Sequence, residues 1–334
     1  MDGAGPLVVQ VVGATPLVNA ALPCAEHAVV GRASGKVILL GEHAVVYGVP
    51  ALAGALESGV TVERTVGTGL VRVPAWALEV QLGSAAAQEM SIGRAMSAIV
   101  ARLDVPALPR DTDLVVHFGV PTGSGLGSSA ALAVALARAL ASVHGLAVNE
   151  ALIEQAAMDS ETVIHGRPSG LDHTISQRGG FGLFVRGRGL EPVRAAHPVS
   201  LVIGHTGKER DTKGRVARVA ELVAQQPALV QPRIDRIGAL ALEAARAVER
   251  GDLEGLGHAM RMNQEELRVL EVSCPEIEAM VQNAEAAGAL ACKLTGGGGG
   301  GCVIALAPGR EHEVAASWAQ LGLRSFVTTV GAQS

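Results

Sequence analysis

A loop rich in glycine and serine, at residues 121–131, is the segment of this 334-residue chain best suited to chemistry. Its glycines let the backbone turn tightly and approach a ligand without a Cβ atom in the way. A helix rich in alanine and leucine is predicted to follow, with its unpaired N–H groups and positive dipole end directed at the loop. This arrangement suits the phosphates of ATP, so the predicted ATP-binding residues are Pro121, Thr122, Gly123, Ser124, Gly125, Leu126, Gly127, Ser128, Ser129, Ala130 and Ala131.

Two serines and the loop spacing leave several interpretations open. Ser128 and Ser129 are placed to cap the helix, and one of them could also ligate Mg²⁺. An ordinary glycine-rich turn with a serine N-cap is the plain alternative. A dinucleotide-binding G-x-G-x-x-G fits poorly, because no second strand with an acidic end follows the helix at the required distance. A Walker loop ending at Lys36 would need Gly at 30 and Ser or Thr at 37, and valine occupies both positions.

A second polar segment surrounds the apolar run from Lys36 to Leu40. Lys36 begins this predicted strand, and Glu42 and His43 follow its other end. The apolar run would anchor the segment in the core and leave the charged groups at its tips. The alternative is that these three side chains are simply solvated, as surface Lys, Glu and His usually are.

A third segment, residues 161–173, contains two carboxylates, Glu161 and Asp172, eleven positions apart. Glu161 lies in the last turn of a predicted helix, where the dipole disfavours a carboxylate, so its position invites a functional explanation. The glycines and the proline between the two carboxylates force a turn that presents Asp172 on a structured loop. Two solvated surface carboxylates are the alternative.

Together the three segments contain the groups that phosphoryl transfer from ATP to an alcohol requires. The reaction needs a metal held on the phosphates, a cation near the transferred group, and a carboxylate that orients or deprotonates the hydroxyl. Glu161, Lys36 and Asp172 match those three roles in that order.

These segments, with a later glycine loop at residues 293–302, resemble the motifs of the GHMP kinases, which phosphorylate galactose, homoserine, mevalonate or phosphomevalonate. The resemblance extends from about Val29 to Leu306. The letters around Glu42-His43 and the pattern from Glu161 to Asp172 are most similar to the members that act on mevalonate. Further matches are Arg210-Asp211-Thr212, Asn263-Gln264, Val272-Ser273 and Pro275-Glu276.

The resemblance implies roles for the matching residues. Ser129 and Glu161 correspond to the family's Mg²⁺ ligands, Asp172 to its catalytic aspartate, and Lys36 to the lysine beside it. The implied substrate-binding residues are Lys36, Glu42, His43, Asp172 and Thr212. The expected reaction transfers the γ-phosphoryl group of ATP to the C5 hydroxyl of mevalonate, in isoprenoid biosynthesis.

Three positions depart from the family pattern: Ser34, His173 and Gly297 stand where proline, asparagine and alanine are usual. None of these changes removes a charged participant. The nearest rival is a related kinase acting on phosphomevalonate or a sugar, although a phosphorylated acceptor would demand more cations than Arg167 alone. A non-catalytic ligand sensor is a second rival, but such a protein would be expected to have lost one of the charged groups.

The elements that must position these groups mix strands and helices without a regular βαβ repeat, which favours an α+β fold over a doubly wound α/β fold. The pattern predicts a turn over 31–35, an N-cap at Asn149, and helices over 130–144, 150–164, 213–225, 232–249, 253–270 and 275–287. The resemblance implies a two-domain GHMP kinase fold. Its parts are an extension at 1–26, an N-terminal ribosomal-protein-S5-like domain at 27–190 and a C-terminal ferredoxin-like α/β sandwich at 191–334.

The composition excludes several classes of function. A net charge of −5 and an aromatic content of 2% leave no basic face or stacking platform for nucleic acid. The first 26 residues have no Lys or Arg and are interrupted by proline, so neither a secretory signal nor a membrane span is predicted. The four cysteines lack metal-ligand spacing and are predicted to be free, buried thiols, which fits a cytoplasmic enzyme. A homodimer is implied by the resemblance alone.

Overall fold

The computed structural model describes residues 28–147, 149–166 and 168–331. The predicted extension at residues 1–26 lies outside the described residues. Within the described ranges, the chain alternates irregularly between helices and mainly antiparallel strands, and the strands are connected by pairing into one branched sheet. The α+β architecture predicted from the sequence is therefore confirmed.

Two long antiparallel strands, β1 (Ala28–Leu40) and β2 (Ala51–Val66), form the centre of the N-terminal half. The predicted turn over 31–35 is wrong, because β1 runs through it and accommodates its glycines at shifts in register with β2. A Cβ atom on Gly31 would lie 2.1 Å from the carbonyl oxygen of Ala135. This glycine therefore permits the close approach of a helix and does not form a turn.

The other N-terminal strands extend the sheet from the edge of β2 that does not pair with β1. They are β3 (Val71–Val73), β4 (Leu78–Val80), β5 (Thr112–Phe118), β6 (Phe181–Val185) and β7 (Gly189–Val193). Strand β5 pairs with the C-terminal part of β2, and β6 pairs with its N-terminal part. The helices of this half are α1 (Ala85–Glu89), α2 (Ser91–Leu103), α3 (Ser128–Val143), α4 (Glu150–His165) and α5 (Leu171–Arg178).

Helix α3 is the buried helix of the N-terminal half. Its residues over 130–141 are almost all buried, because α3 packs against β1 and β2 as well as against α2, α4 and α5. The helices predicted over 130–144 and 150–164 are confirmed. Asn149 caps α4 as predicted, since its side-chain oxygen accepts hydrogen bonds from two N–H groups of the first turn at 3.0 and 3.3 Å.

The C-terminal half is an antiparallel sheet with helices on both faces. Its strands are β8 (Val199–His205), β9 (Ala291–Leu294), β10 (Cys302–Leu306) and β11 (Ser325–Val330), in the order β11-β8-β10-β9. Its helices are α6 (Thr212–Gln225), α7 (Pro227–Arg250), α8 (Leu253–Val269), α9 (Pro275–Ala286) and α10 (Glu311–Gln320). The four helices predicted in this half are confirmed, except that α7 begins at Pro227 and continues through Pro232.

The two halves share backbone and core contacts. Val330 of β11 pairs with Leu56 of β2, which links the two sheets. A common apolar cluster combines β1 and β2 with α7, α8 and the C-terminal strands. The predicted boundary near residue 190 falls in β7 and stays a prediction.

Two further findings concern helix length and the cysteines. In the part of the chain that the structure describes, no helix is long and apolar enough to cross a membrane. Cys274, Cys292 and Cys302 are free and buried, as predicted, whereas Cys24 lies outside the described residues.

Candidate active site

A cleft of about 880 Å³ lies between the start of α3, the neighbouring ends of α4 and α5, and the segment before α6. The predicted site residues that line it are Thr122, Gly123, Gly125, Gly127, Ser128, Ser129, Ala130, Glu161, Asp172 and Thr212. The predicted site residues outside its lining are Lys36, Glu42, His43, Pro121, Ser124, Leu126 and Ala131. The glycine loop, both carboxylates and Thr212 therefore share one cavity.

The glycine loop uses the left-handed backbone region three times. The φ angles of Gly123, Gly125 and Gly127 are +73°, +89° and +74°. Gly127 is the N-cap residue of α3, and no side chain among the described residues caps this helix. The prediction that Ser128 or Ser129 caps α3 is wrong. The first-turn N–H groups of α3 consequently lie at the cleft without a side-chain acceptor, which is the arrangement that binds phosphate.

Residues of the glycine loop that do not line the cleft fix the position of the loop. The carbonyl oxygen of Leu126 accepts a hydrogen bond from the Lys36 N–H at 2.8 Å, and the Leu126 side chain is fully buried. The Ser124 hydroxyl donates to the carbonyl oxygen of Pro121 at 2.6 Å. These contacts tie the loop to β1 and close its turn.

Replacing Gly127 with alanine is expected to destabilise the protein more than replacing Gly123. Both changes carry the cost of a left-handed alanine, about 1–2 kcal/mol. Only at Gly127 would the new Cβ meet a neighbour, 2.6 Å from Cγ of Lys36, whereas Gly123 has open space. We expect the free energy of unfolding in urea to fall by about 1 kcal/mol more for Gly127→Ala than for Gly123→Ala. Equal losses in the two variants would contradict the close contact with Lys36.

Ser129 and Glu161 meet in the cleft although 32 positions separate them. The Ser129 hydroxyl donates to Oε1 of Glu161 at 2.5 Å, because α4 packs beside α3 with its last turns near the start of that helix. The Glu161 side chain is only 4% exposed. Burial raises the pKa of its carboxyl, and the hydrogen bond from Ser129 opposes that rise. Two oxygen ligands beside a phosphate-binding helix end suit Mg²⁺, which combines few protein oxygens with phosphate oxygens and water.

Lys36 and Asp172 form an ion pair at the same cleft. Lys36 Nζ lies 3.1 Å from Asp172 Oδ1; the lysine side chain is 7% exposed and the aspartate side chain 40%. Asp172 lies in the first turn of α5, so the prediction that it lies on a loop is wrong. The helix dipole favours a carboxylate at this position. The pair thus combines a buried cation with a carboxylate that a ligand can reach.

Glu42 and His43 lie away from the cleft lining. The Glu42 carboxylate is enclosed and forms an ion pair with Lys293. His43 Nε2 donates to the carbonyl oxygen of Gly297 at 2.9 Å, and burial lowers the pKa of its imidazole. Their predicted contact with the substrate stays a prediction.

The comparison with known proteins identifies the family. The model of the GHMP kinases N terminal domain matches residues 90–180, and that of the GHMP kinases C terminal matches residues 226–322. The mevalonate kinase of Pyrococcus horikoshii is 35% identical over 324 residues, which cover 90% of this chain and 95% of the relative. The chain belongs to the GHMP kinase family.

Two further comparisons support the assignment of this GHMP kinase to the family. The mevalonate kinase of Aeropyrum pernix is 35% identical over 311 residues, with coverage of 88% of this chain and 91% of the relative. The crystal structure of L. major mevalonate kinase in complex with R-mevalonate has a TM-score of 0.80 and 27% identity to this chain. That match covers 94% of this chain and 99% of the other. The predicted two-domain GHMP kinase fold is therefore confirmed.

Two cations of this GHMP kinase were not assigned to the site from the sequence. Arg210 and Lys213 line the cleft beside Thr212. Asp211 caps α6 by accepting a hydrogen bond from the Gly214 N–H at 2.9 Å, and the resulting turn brings both neighbours to the cavity. The matching letters Arg210-Asp211-Thr212 were a usable signal, but only the tertiary structure shows that Arg210 reaches the glycine loop, where a Cβ atom on Gly125 would lie 2.8 Å from a guanidinium nitrogen of Arg210.

Proposed function

We propose that this GHMP kinase transfers the γ-phosphoryl group of ATP to the C5 hydroxyl of mevalonate, which yields 5-phosphomevalonate. The observation that supports this most strongly is the ion pair between Lys36 and Asp172, beside the same cleft as the glycine loop and the Ser129–Glu161 pair. The choice of mevalonate rests on the relatives, which carry the name mevalonate kinase.

The start of α3 binds the phosphates of ATP in this proposal. Its N–H groups and positive dipole end stabilise the phosphate charge. Ser129 and Glu161 are the residues that would hold Mg²⁺, which would supply positive charge beside the phosphates. Within the described ranges, no group of three or more His, Cys, Asp or Glu side chains could hold a metal ion.

Asp172 and Lys36 act on the acceptor side. The acceptor oxygen attacks the γ-phosphorus and forms the new O–P bond, while the bond from phosphorus to the β–γ bridging oxygen breaks and ADP leaves. Asp172 accepts the hydroxyl proton, and its 40% exposed side chain leaves room for that hydroxyl. The Lys36 ammonium stabilises the Asp172 carboxylate and the negative charge on the moving phosphoryl group.

A kinase that acts on phosphomevalonate is the second candidate. Arg210 and Lys213 line the cleft. The argument from the sequence against a phosphorylated acceptor considered Arg167 alone, so the site has more cations than that argument assumed. The same two cations also suit the phosphates of ATP, and the names of the relatives favour mevalonate. Mevalonate therefore stays the first choice.

The test is the release of ADP with a panel of mevalonate, phosphomevalonate, galactose and homoserine, each with saturating ATP and Mg²⁺. We expect kcat/KM for mevalonate to exceed that for the other three acceptors by about 100-fold or more. Mass spectrometry should show one added phosphoryl group on mevalonate. Turnover only with another acceptor would refute the choice of mevalonate, and no turnover with any of them would refute the kinase assignment.

Three further properties belong to this proposal. A homodimer follows from the family resemblance, and a cytoplasmic location from the free, buried thiols. The division into domains at residues 27–190 and 191–334 follows from the resemblance as well. These three are predictions about the same enzyme.

A further inference from the structure

Three side-chain contacts join the end of β1 and the loop after it to β9 and the glycine loop that follows. The Thr295 hydroxyl donates to the carbonyl oxygen of Ile38 at 2.8 Å. Lys293 binds Glu42, and His43 donates to the carbonyl oxygen of Gly297. We call Glu42, His43, Lys293 and Gly297 the clamp, because they connect segments more than 250 positions apart.

The ion pair at the centre of the clamp is completely enclosed. The side chains of Glu42 and Lys293 are both 0% exposed. Lys293 Nζ also donates to the carbonyl oxygen of Leu294 at 2.5 Å, and Asn263 Nδ2 donates to Oε2 of Glu42 at 3.3 Å. Burial lowers the pKa of the Lys293 ammonium, and Glu42 opposes that change. Neither side chain of the pair is exposed to the cleft, and a buried ion pair is a weak source of stability, so its role is sought in the residues that it holds in place.

The backbone at His43 is strained, and the clamp holds it. His43 has φ +61° and ψ −45°, and the Ala44 N–H donates to the carbonyl oxygen of Glu42 at 2.7 Å. This is the rarer, strained form of the γ-turn, here with a non-glycine residue at its centre. Such a conformation persists only where the surroundings impose it. The ion pair with Lys293 fixes Glu42, the first residue of the turn, and the hydrogen bond to Gly297 fixes the imidazole of His43 at its centre.

The glycine loop held by the clamp supports the wall of the cleft that contains Thr212. A Cβ atom on Gly297 would lie 2.1 Å from Thr212 Oγ1, so the two residues are in close contact. The Asp211 N–H donates to the carbonyl oxygen of Gly298 at 3.2 Å. A shift of Gly297 would therefore move Thr212, the cleft-lining residue that it contacts.

We propose that Glu42 and Lys293 are positioning residues for the acceptor. Their ion pair holds His43 and Gly297, and through Gly297 it places Thr212 for acceptor binding. The glycine loop at the start of α3 is held separately, by the hydrogen bond between Leu126 and Lys36. This inference rests on the proposed mevalonate kinase activity. It assigns Glu42 a role through the clamp, where the sequence predicted direct contact with substrate.

The test uses the double variant Glu42→Gln with Lys293→Met, which removes both charges together. Single substitutions would leave an unpaired buried charge and could unfold the protein. We expect KM for mevalonate to rise by about tenfold or more, since small displacements of positioning groups have large effects. KM for ATP should change by less than about twofold. The matched control is Arg233→Met with Glu266→Gln, a partly buried ion pair between α7 and α8 outside the cleft lining.

The outcomes separate positioning from general stability. A rise in KM for mevalonate without a matching rise for ATP supports the proposal when the control variant shows neither. In ¹⁵N-edited NMR spectra, the His43 Nε2 resonance should also shift as its bond to Gly297 is lost. Unchanged KM for mevalonate, or equal rises in both KM values, would overturn the proposal. The wild-type protein is assayed first. If it does not phosphorylate mevalonate, the proposed function is refuted, and this result is distinct from a failure of the proposal about the clamp.

Discussion

Replacing Asp172 with asparagine is expected to lower kcat by roughly 10²- to 10⁴-fold, the range that a positioned proton acceptor contributes. Asparagine has nearly the same shape but cannot accept the proton of the acceptor hydroxyl. It also removes the negative partner of Lys36, which lies 3.1 Å away in the native protein. The measurement is steady-state turnover with mevalonate, with ADP release as the signal.

Binding of ATP should persist in this variant. The glycine loop and the start of α3 are anchored to β1 through the Leu126 carbonyl, which Asp172 does not contact. The Kd for Mg-ATP, measured by calorimetry, is expected to stay within about threefold of the wild-type value. Asp172→Ala should show the same pattern. Near-normal turnover in either variant would refute the assignment of Asp172.

Because Lys36 and Asp172 form one unit, their effects should not add. The double variant Lys36→Met with Asp172→Asn is expected to lose little more activity than Asp172→Asn alone. Fully multiplicative losses would show that the two residues act independently.

The second large effect is expected for Glu161→Gln, which should raise KM for Mg-ATP and lower kcat, together by about 10²-fold in kcat/KM. Glutamine can still accept the hydrogen bond from Ser129 but has no charge with which to hold Mg²⁺. The apparent affinity for Mg²⁺, measured from turnover at fixed ATP, should fall with it. KM for mevalonate should change little, because Glu161 is assigned to the nucleotide side.

The matched control for this variant is Glu154→Gln. Glu154 lies on the same helix, α4, where it binds Thr174 and Arg178, and it does not line the cleft. Its substitution should leave the Mg²⁺ dependence unchanged. If both variants lost affinity for Mg-ATP equally, the effect would belong to the packing of α4 on α5 and not to a metal ligand.

Much of the site could be predicted from the sequence because its parts are local. The glycine loop and α3 are contiguous, so the phosphate-binding helix end follows from residues 121–131 and the alanine-rich run after them. Asn149 marks the start of α4 by a capping rule that involves only its next few residues. The position of Glu161 near the end of α4 follows from the same count along one helix.

Other local patterns are compatible with two different structures, and packing decides which of the two forms. Glycine at 31 is compatible with a turn or with a close contact, and the approach of α3 selects the contact. Asp172 follows a glycine- and proline-rich turn, and the sequence does not say whether a loop or a short helix comes next. The structure has α5 there, buried on one side against α3 and β1.

The sequence by itself determined which charged groups exist, which local elements contain them and which family they resemble. Only the tertiary structure decided which of them meet, because strand pairing and helix packing join residues far apart in the chain. Lys36 meets Asp172 through the packing of α5 on β1, and Ser129 meets Glu161 through the packing of α3 on α4. Glu42 meets Lys293 in the core, and Arg210 reaches the cleft, for the same reason.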